Sequence, residues 1–98
     1  MTLYVKYLVC YDIENNKLRT KFFNLLKDLG LTPIQKSVFY GDLKPPEVTA
    51  LKLTAKKLLE PEADSCLFFP CHLTPEAIRS CPGFSEFEYE EPDGHRVL

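Results

Sequence analysis

From Leu3 to Tyr11 the chain reads LYVKYLVCY, with Leu3, Val5, Tyr7, Val9 and Tyr11 on one set of alternate positions and Tyr4, Lys6, Leu8 and Cys10 on the other. A period of two predicts a β-strand, and two largely apolar sets predict a strand covered on both faces. The period then changes. Leu18, Phe22, Leu25, Leu26 and Leu29 recur at helical spacing, with Phe23 beside them. This predicts a helix from Asn15 or Asn16 to Leu29, capped by an asparagine and ended by Gly30.

A short strand follows at Thr32 to Gln35, placed at a sheet edge by Pro33, and another at Ser37 to Leu43, in which Gly41 predicts a bulge or a close backbone approach. A second helix begins near Pro46 and stops before Pro61, with Val48, Leu51, Ala55, Leu58 and Leu59 as its buried stripe. Ser65 to Cys71 reads as a strand apolar on both faces. Thr74 to Ser80 reads as a helical turn with Thr74 as its cap. From Phe84 the sequence alternates again, which predicts an added edge strand, with a short last strand at His95 to Leu98.

The order is βαββαβ with a tail. Two βαβ units give an α+β sandwich of ferredoxin-like type, with residues 1–83 as the domain and 84–98 as a C-terminal strand segment. Two helices cover one face of a four-stranded sheet. Because the first, third and fourth strands are apolar on both faces, a second copy of the chain is the simplest cover for the other face, which predicts a homodimer.

Charge and composition narrow the picture. The net charge is −2, but residues 86–93 carry Glu86, Glu88, Glu90, Glu91 and Asp93 without a base, and residues 1–85 hold eleven Lys/Arg against nine Asp/Glu. The bases gather at Lys17 to Lys27 and Lys52 to Lys57, which reads either as two solvated helix faces or as a phosphate-binding surface. Lys17, Arg19 and Lys21 oppose the dipole of the first helix, and nearby acids or an anionic ligand would compensate. No run is long enough to cross a membrane, and the N-terminus reads as a strand rather than a signal peptide, so the expected location is the cytoplasm. There Cys10, Cys66, Cys71 and Cys81 are expected as reduced thiols. Their spacing, with His72, lacks the tight ligand pairs of a structural zinc site.

The residue that stands out is Asp12, a carboxylate where an apolar strand stops. Such an acid is costly unless it has a role. Two roles fit: a cap for the helix that follows, or a metal ligand.

YDIENNKLRTK followed by IQKSVFYGDL resembles the small nuclease-like family of CRISPR adaptation, the CRISPR-associated endoribonucleases that partner the CRISPR integrase. The resemblance is strongest over residues 7–43. It implies a ferredoxin-like homodimer whose C-terminal strand pairs with the partner subunit. It also implies a metal-dependent endonuclease, with Mg²⁺ or Mn²⁺, acting on single-stranded RNA or double-stranded DNA. Residue by residue, Asp12 falls on the family's metal-binding aspartate and Tyr11 on the tyrosine before it, as catalytic residues. Arg19 and Lys21, with Lys17, fall on the basic helix, and Gln35 and Ser37 lie in or beside the QxSVF segment, as nucleic-acid contacts. Lys21 stands where arginine is common, and Pro33 where some members carry arginine, so a bidentate phosphate grip and one phosphate contact are missing here. One aspartate is too few ligands for Mg²⁺, whereas two copies of Asp12 at a two-fold axis would hold one ion with water and substrate phosphate. The alternative functions are a non-catalytic dimer that bridges DNA and scaffolds the integrase, and a related toxin-type ribonuclease.

Overall fold

The computed structural model describes residues 3–88. The elements are β1 (Val5–Asp12), α1 (Asn16–Asp28), β2 (Thr32–Gln35), β3 (Val38–Leu43), α2 (Pro45–Leu58), β4 (Ser65–Pro70) and α3 (Pro75–Arg79). The four strands form one sheet in the order β2-β3-β1-β4, every neighbouring pair antiparallel. This is the ferredoxin-like α+β arrangement, with β1 and β3 in the middle.

Each helix starts and stops where local chemistry dictates. Asn15 Oδ1 accepts the Leu18 N–H at 2.9 Å. At the other end Gly30 adopts φ +90, and the N–H groups of Gly30 and Leu31 close back on the Lys27 and Leu26 carbonyls. Pro45 and Pro46 open α2, and the Glu47 carboxylate accepts the Lys44 N–H at 2.7 Å. Thr74 Oγ1 caps α3 through the Ala77 N–H.

The core lies between the helices and one sheet face. Val9 and Tyr11 of β1, Phe39 and Leu43 of β3, Phe22 and Leu26 of α1, and Val48, Leu51 and Ala55 of α2 form one buried cluster. In β1 the cross-strand partners of Val9 are Phe39 and Phe68, so this layer runs across three strands. Gly41 marks a close approach and not a bulge. A Cβ there would sit 2.8 Å from Leu31 Cδ2, and the register shift falls at Pro33/Gln35 in the β2–β3 pairing.

The opposite face, for which a second copy is the simplest cover, is covered in part by the chain itself. At one end the chain covers itself. The N–H of Leu73 donates to the Tyr40 hydroxyl at 2.6 Å, Cys71 N–H donates to the Lys6 carbonyl, and Ile78 of α3 is buried. Tyr40 has no exposure, and Lys6 and Asp42 pair at 3.1 Å with side chains only 12% and 7% exposed. At the other end Leu67 and Phe69 of β4 remain 55% and 44% exposed beside half-buried Leu8 and Cys10.

The alternation from Phe84 does not make a strand over 84–88. The Phe84 N–H bonds to the Cys81 carbonyl, the Phe87 N–H bonds to the Phe84 carbonyl, and Arg79 holds the Phe87 carbonyl at 3.0 Å. Period-two patterning makes a strand only where a neighbouring strand takes up its backbone groups. Here turns and an arginine take them up. The rest of the expected C-terminal strand and the segment His95 to Leu98 lie outside the described residues.

Candidate functional site

Asp12 is the last residue of β1, paired across the sheet with Ser65. Strand alternation places it with Lys6, Leu8 and Cys10 on the face away from the helices. It is exposed, and among the described residues its carboxylate has no hydrogen-bond or ion-pair partner. The helix cap is Asn15. The capping role that the sequence allowed for Asp12 is thus filled by another residue.

The segment after Asp12 is held from two sides. Asp64, which directly precedes the strand partner of Asp12, accepts the Glu14 N–H at 3.0 Å on one oxygen and the Glu60 N–H at 2.9 Å on the other. One carboxylate therefore ties the β1–α1 loop to the α2–β4 loop. Arg19 works from the other side. Its Nη1 donates to the Ile13 carbonyl at 2.7 Å and to the Glu14 carbonyl at 3.4 Å, and its Nη2 donates to Asn16 Oδ1. Ile13, 2% exposed, anchors the loop in the core. Arg19, expected from the resemblance as a phosphate contact, thus spends much of its guanidinium on the loop backbone. Nε and one hydrogen on Nη2 remain to serve a ligand. The sequence reading missed Asp64 because the loops it joins are fifty residues apart, and no local pattern marks that contact.

Tyr11 and Asp12 are neighbours in sequence but face opposite sides of the sheet. Tyr11 is 7% exposed, edge-on to Phe22 at 5.1 Å and stacked near Phe39 at 6.3 Å. Burial raises the phenol pKa above its ordinary value, while the neighbouring Ser37 hydroxyl and the Arg19 charge pull it back in part. Ser37 occupies the turn between β2 and β3 at φ +66, a conformation unusual outside glycine, and its carbonyl accepts the Tyr11 N–H at 3.0 Å. Tyr11, Arg19, Thr20, Phe23, Lys36 and Ser37 line a cavity of about 210 Å³ on this side. Gln35 is exposed at the end of β2, and Lys17 and Lys21 are exposed on α1. The expected site residues therefore divide into an acid on the open face, a buried tyrosine beside half-buried Ser37 and Arg19 on the helix side, and exposed Gln35, Lys17 and Lys21.

Among the described residues no three His, Cys, Asp or Glu side chains converge as a metal site. One chain offers Asp12 alone, and a site for Mg²⁺ would need a second Asp12.

The fold and site define a small ferredoxin-like protein with an exposed carboxylate at the end of its first strand, beside an exposed apolar strip. Residues 5–76 match the family described as CRISPR associated protein Cas2, and the chain belongs to that family. It is 46% identical over 52 residues to a CRISPR-associated endoribonuclease Cas2 1 of Francisella tularensis subsp. novicida, covering 53% of this chain and 54% of that protein. It is 51% identical over 43 residues to a CRISPR-associated endoribonuclease Cas2 of Korarchaeum cryptofilum, covering 44% and 46%. The chain thus matches about half the length of these relatives. Among solved structures, Cas2 of Streptococcus pyogenes aligns with a TM-score of 0.59 and 26% identity over 65% of this chain and 82% of that one. A hypothetical protein of Thermus thermophilus aligns with a TM-score of 0.65 and 33% identity over 71% and 84%. Among the described residues no helix is long and apolar enough to cross a membrane.

Proposed function

We propose that this chain acts in CRISPR adaptation as a homodimeric, metal-dependent endonuclease, with single-stranded RNA as first substrate and duplex DNA as second. The observation that carries the reading is Asp12: a carboxylate with no described partner, held in place by Asp64 and Arg19, beside apolar residues left exposed. Burying Leu67 and Phe69 against a second copy would bring two Asp12 carboxylates to one axis. Two close carboxylates repel each other and so favour a divalent ion between them. Mg²⁺ or Mn²⁺ would supply hydroxide and neutralise charge on the phosphate. The role of the chain is to hold both acids on well-tied strand ends and to present Lys17 and Lys21 to the flanking phosphates. The endoribonuclease names of the relatives support the choice of RNA.

A second reading has its own observation. Lys17, Lys21, Lys52, Lys56 and Lys57 are exposed on the two helices. That surface suits a dimer that bridges DNA and docks the CRISPR integrase without cleaving. Cleavage of labelled RNA and of duplex DNA by Asp12→Asn separates the two. The nuclease reading expects cleavage to vanish with the fold intact, and cleavage that persists would defeat it. Loss of spacer acquisition in Lys17→Ala with Lys21→Ala, but not in Asp12→Asn, would favour the bridging dimer.

A further inference from the structure

We propose that the cavity between α1 and the β2–β3 turn is a phosphate pocket, in which Lys36, Arg19 and Ser37 hold one phosphate of a single nucleic-acid strand on the side of the sheet away from Asp12. The proposal rests on the nucleic-acid reading above and adds a second, separate contact to it.

Three observations carry it. The lining of the cavity has two cationic side chains, Arg19 and Lys36, and three hydroxyl groups, on Tyr11, Thr20 and Ser37, and it contains no acid. Lys36 is exposed and forms no ion pair among the described residues, so its charge is available. Arg19 is already fixed in place by the Ile13, Glu14 and Asn16 oxygens, so the donors it keeps are pre-oriented. The wall adds to these. Phe23 closes one side of the cavity with its ring set edge-on to Phe39 at 5.1 Å, and this offers an aromatic surface to the sugar or base next to the phosphate. Ser37 sits at φ +66 with its carbonyl accepting the Tyr11 N–H at 3.0 Å, which fixes the floor of the pocket.

The placement determines what kind of strand fits. Tyr11, at the floor, and Asp12 are successive residues on opposite faces of β1, so the two sites lie around the end of one strand from each other. A flexible single strand can pass Asp12 and turn that corner. A duplex, which is stiff on this scale, cannot. A cavity of about 210 Å³ likewise takes a phosphate with its adjoining sugar and excludes a paired helix. The pocket therefore favours single strands, and Lys36 becomes a binding residue that neither the helix lysines nor Asp12 can replace.

The test is the salt dependence of binding to a fluorescent single-stranded RNA oligonucleotide, measured by anisotropy on the intact chain. For single strands each phosphate contact contributes about 0.7 to the slope of log K against log salt. Lys36→Ala is expected to lower the slope by about 0.7, Lys36→Arg to restore it, and duplex binding to be unchanged by either. An unchanged slope in Lys36→Ala would overturn the pocket. A second arm uses inorganic phosphate titrated into isotopically labelled protein. Saturating amide shifts at Thr20, Lys36 and Ser37 that disappear in Lys36→Ala support the pocket, and shifts confined to other residues overturn it. If phosphate shifts these residues but no oligonucleotide binds, the pocket stands as a phosphate site and the nucleic-acid reading fails.

Discussion

The two faces of the sheet are built to different ends. The helix face is filled and dry: Val9, Phe22, Leu26, Phe39 and Leu43 are at or near zero exposure. The other face is uneven. One end is closed by the chain itself through Tyr40, the Lys6–Asp42 pair and Ile78, while the other leaves Leu67, Phe69 and Asp12 in solvent. Tyr11 and Asp12 make the contrast within a single dipeptide, since one is core and the other is exposed. Stability is concentrated on the first face, while Leu67, Phe69 and Asp12 leave the second open at one end.

If that division is right, truncations on the two faces should differ widely. Phe39→Ala removes a fully buried ring and is expected to cost about 3–5 kcal/mol in urea unfolding. Phe69→Ala, at 44% exposure, is expected to cost the isolated chain under about 1 kcal/mol, while shifting sedimentation toward the monomer. Equal losses would erase the distinction. The closed end of the open face should fall between them. Asp42→Ala removes the Lys6–Asp42 ion pair from a largely buried position, and about 3 kcal/mol is expected by the same measurement.

A smaller effect should appear in alkali. Cys66 packs against the core from β4, and burial, helped by nearby Cys10, pushes its thiol up from 9.0 to about 12. Above pH 9 the unfolded thiol loses its proton while the folded one keeps it. The stability held by the neutral thiol is thus fully present below pH 9 and is lost as pH rises toward 12. The urea midpoint should fall as pH is raised from 8 to 10.5, and Cys66→Ala should flatten that fall. Tyr11 and Tyr40, both raised by burial, add to the decline above pH 10.

Much of this was legible in the sequence, and the reason differs by element. The strands and helices follow from local period and from signals such as the Asn15 cap and the first-turn proline Pro46, which act within a few residues. Gly41 pointed to a bulge or a close approach, and the structure has the close approach, to Leu31. The alternation from Phe84 misled over 84–88 because a strand is defined by its neighbour, and the backbone there bonds locally and to Arg79 instead. The site was legible as a set of residue types, not as an arrangement. Asp12 stood out because an acid ends an apolar strand. Asp64, the Lys6–Asp42 pair and the bracing role of Arg19 depend on contacts that only the folded chain creates. The separation of Tyr11 from Asp12 was already contained in the strand period, which places successive side chains on opposite faces.

The central claim is that Asp12 contributes little to stability and acts only as half of a pair. The direct measurement is the stoichiometry of Mn²⁺ binding, read by electron paramagnetic resonance on the wild-type chain and on Asp12→Asn at matched melting temperature. The account predicts one Mn²⁺ for every two chains in the wild type, no binding in Asp12→Asn, and unfolding free energies within about 0.5 kcal/mol of each other. One ion per chain, or Mn²⁺ retained by Asp12→Asn, would contradict it.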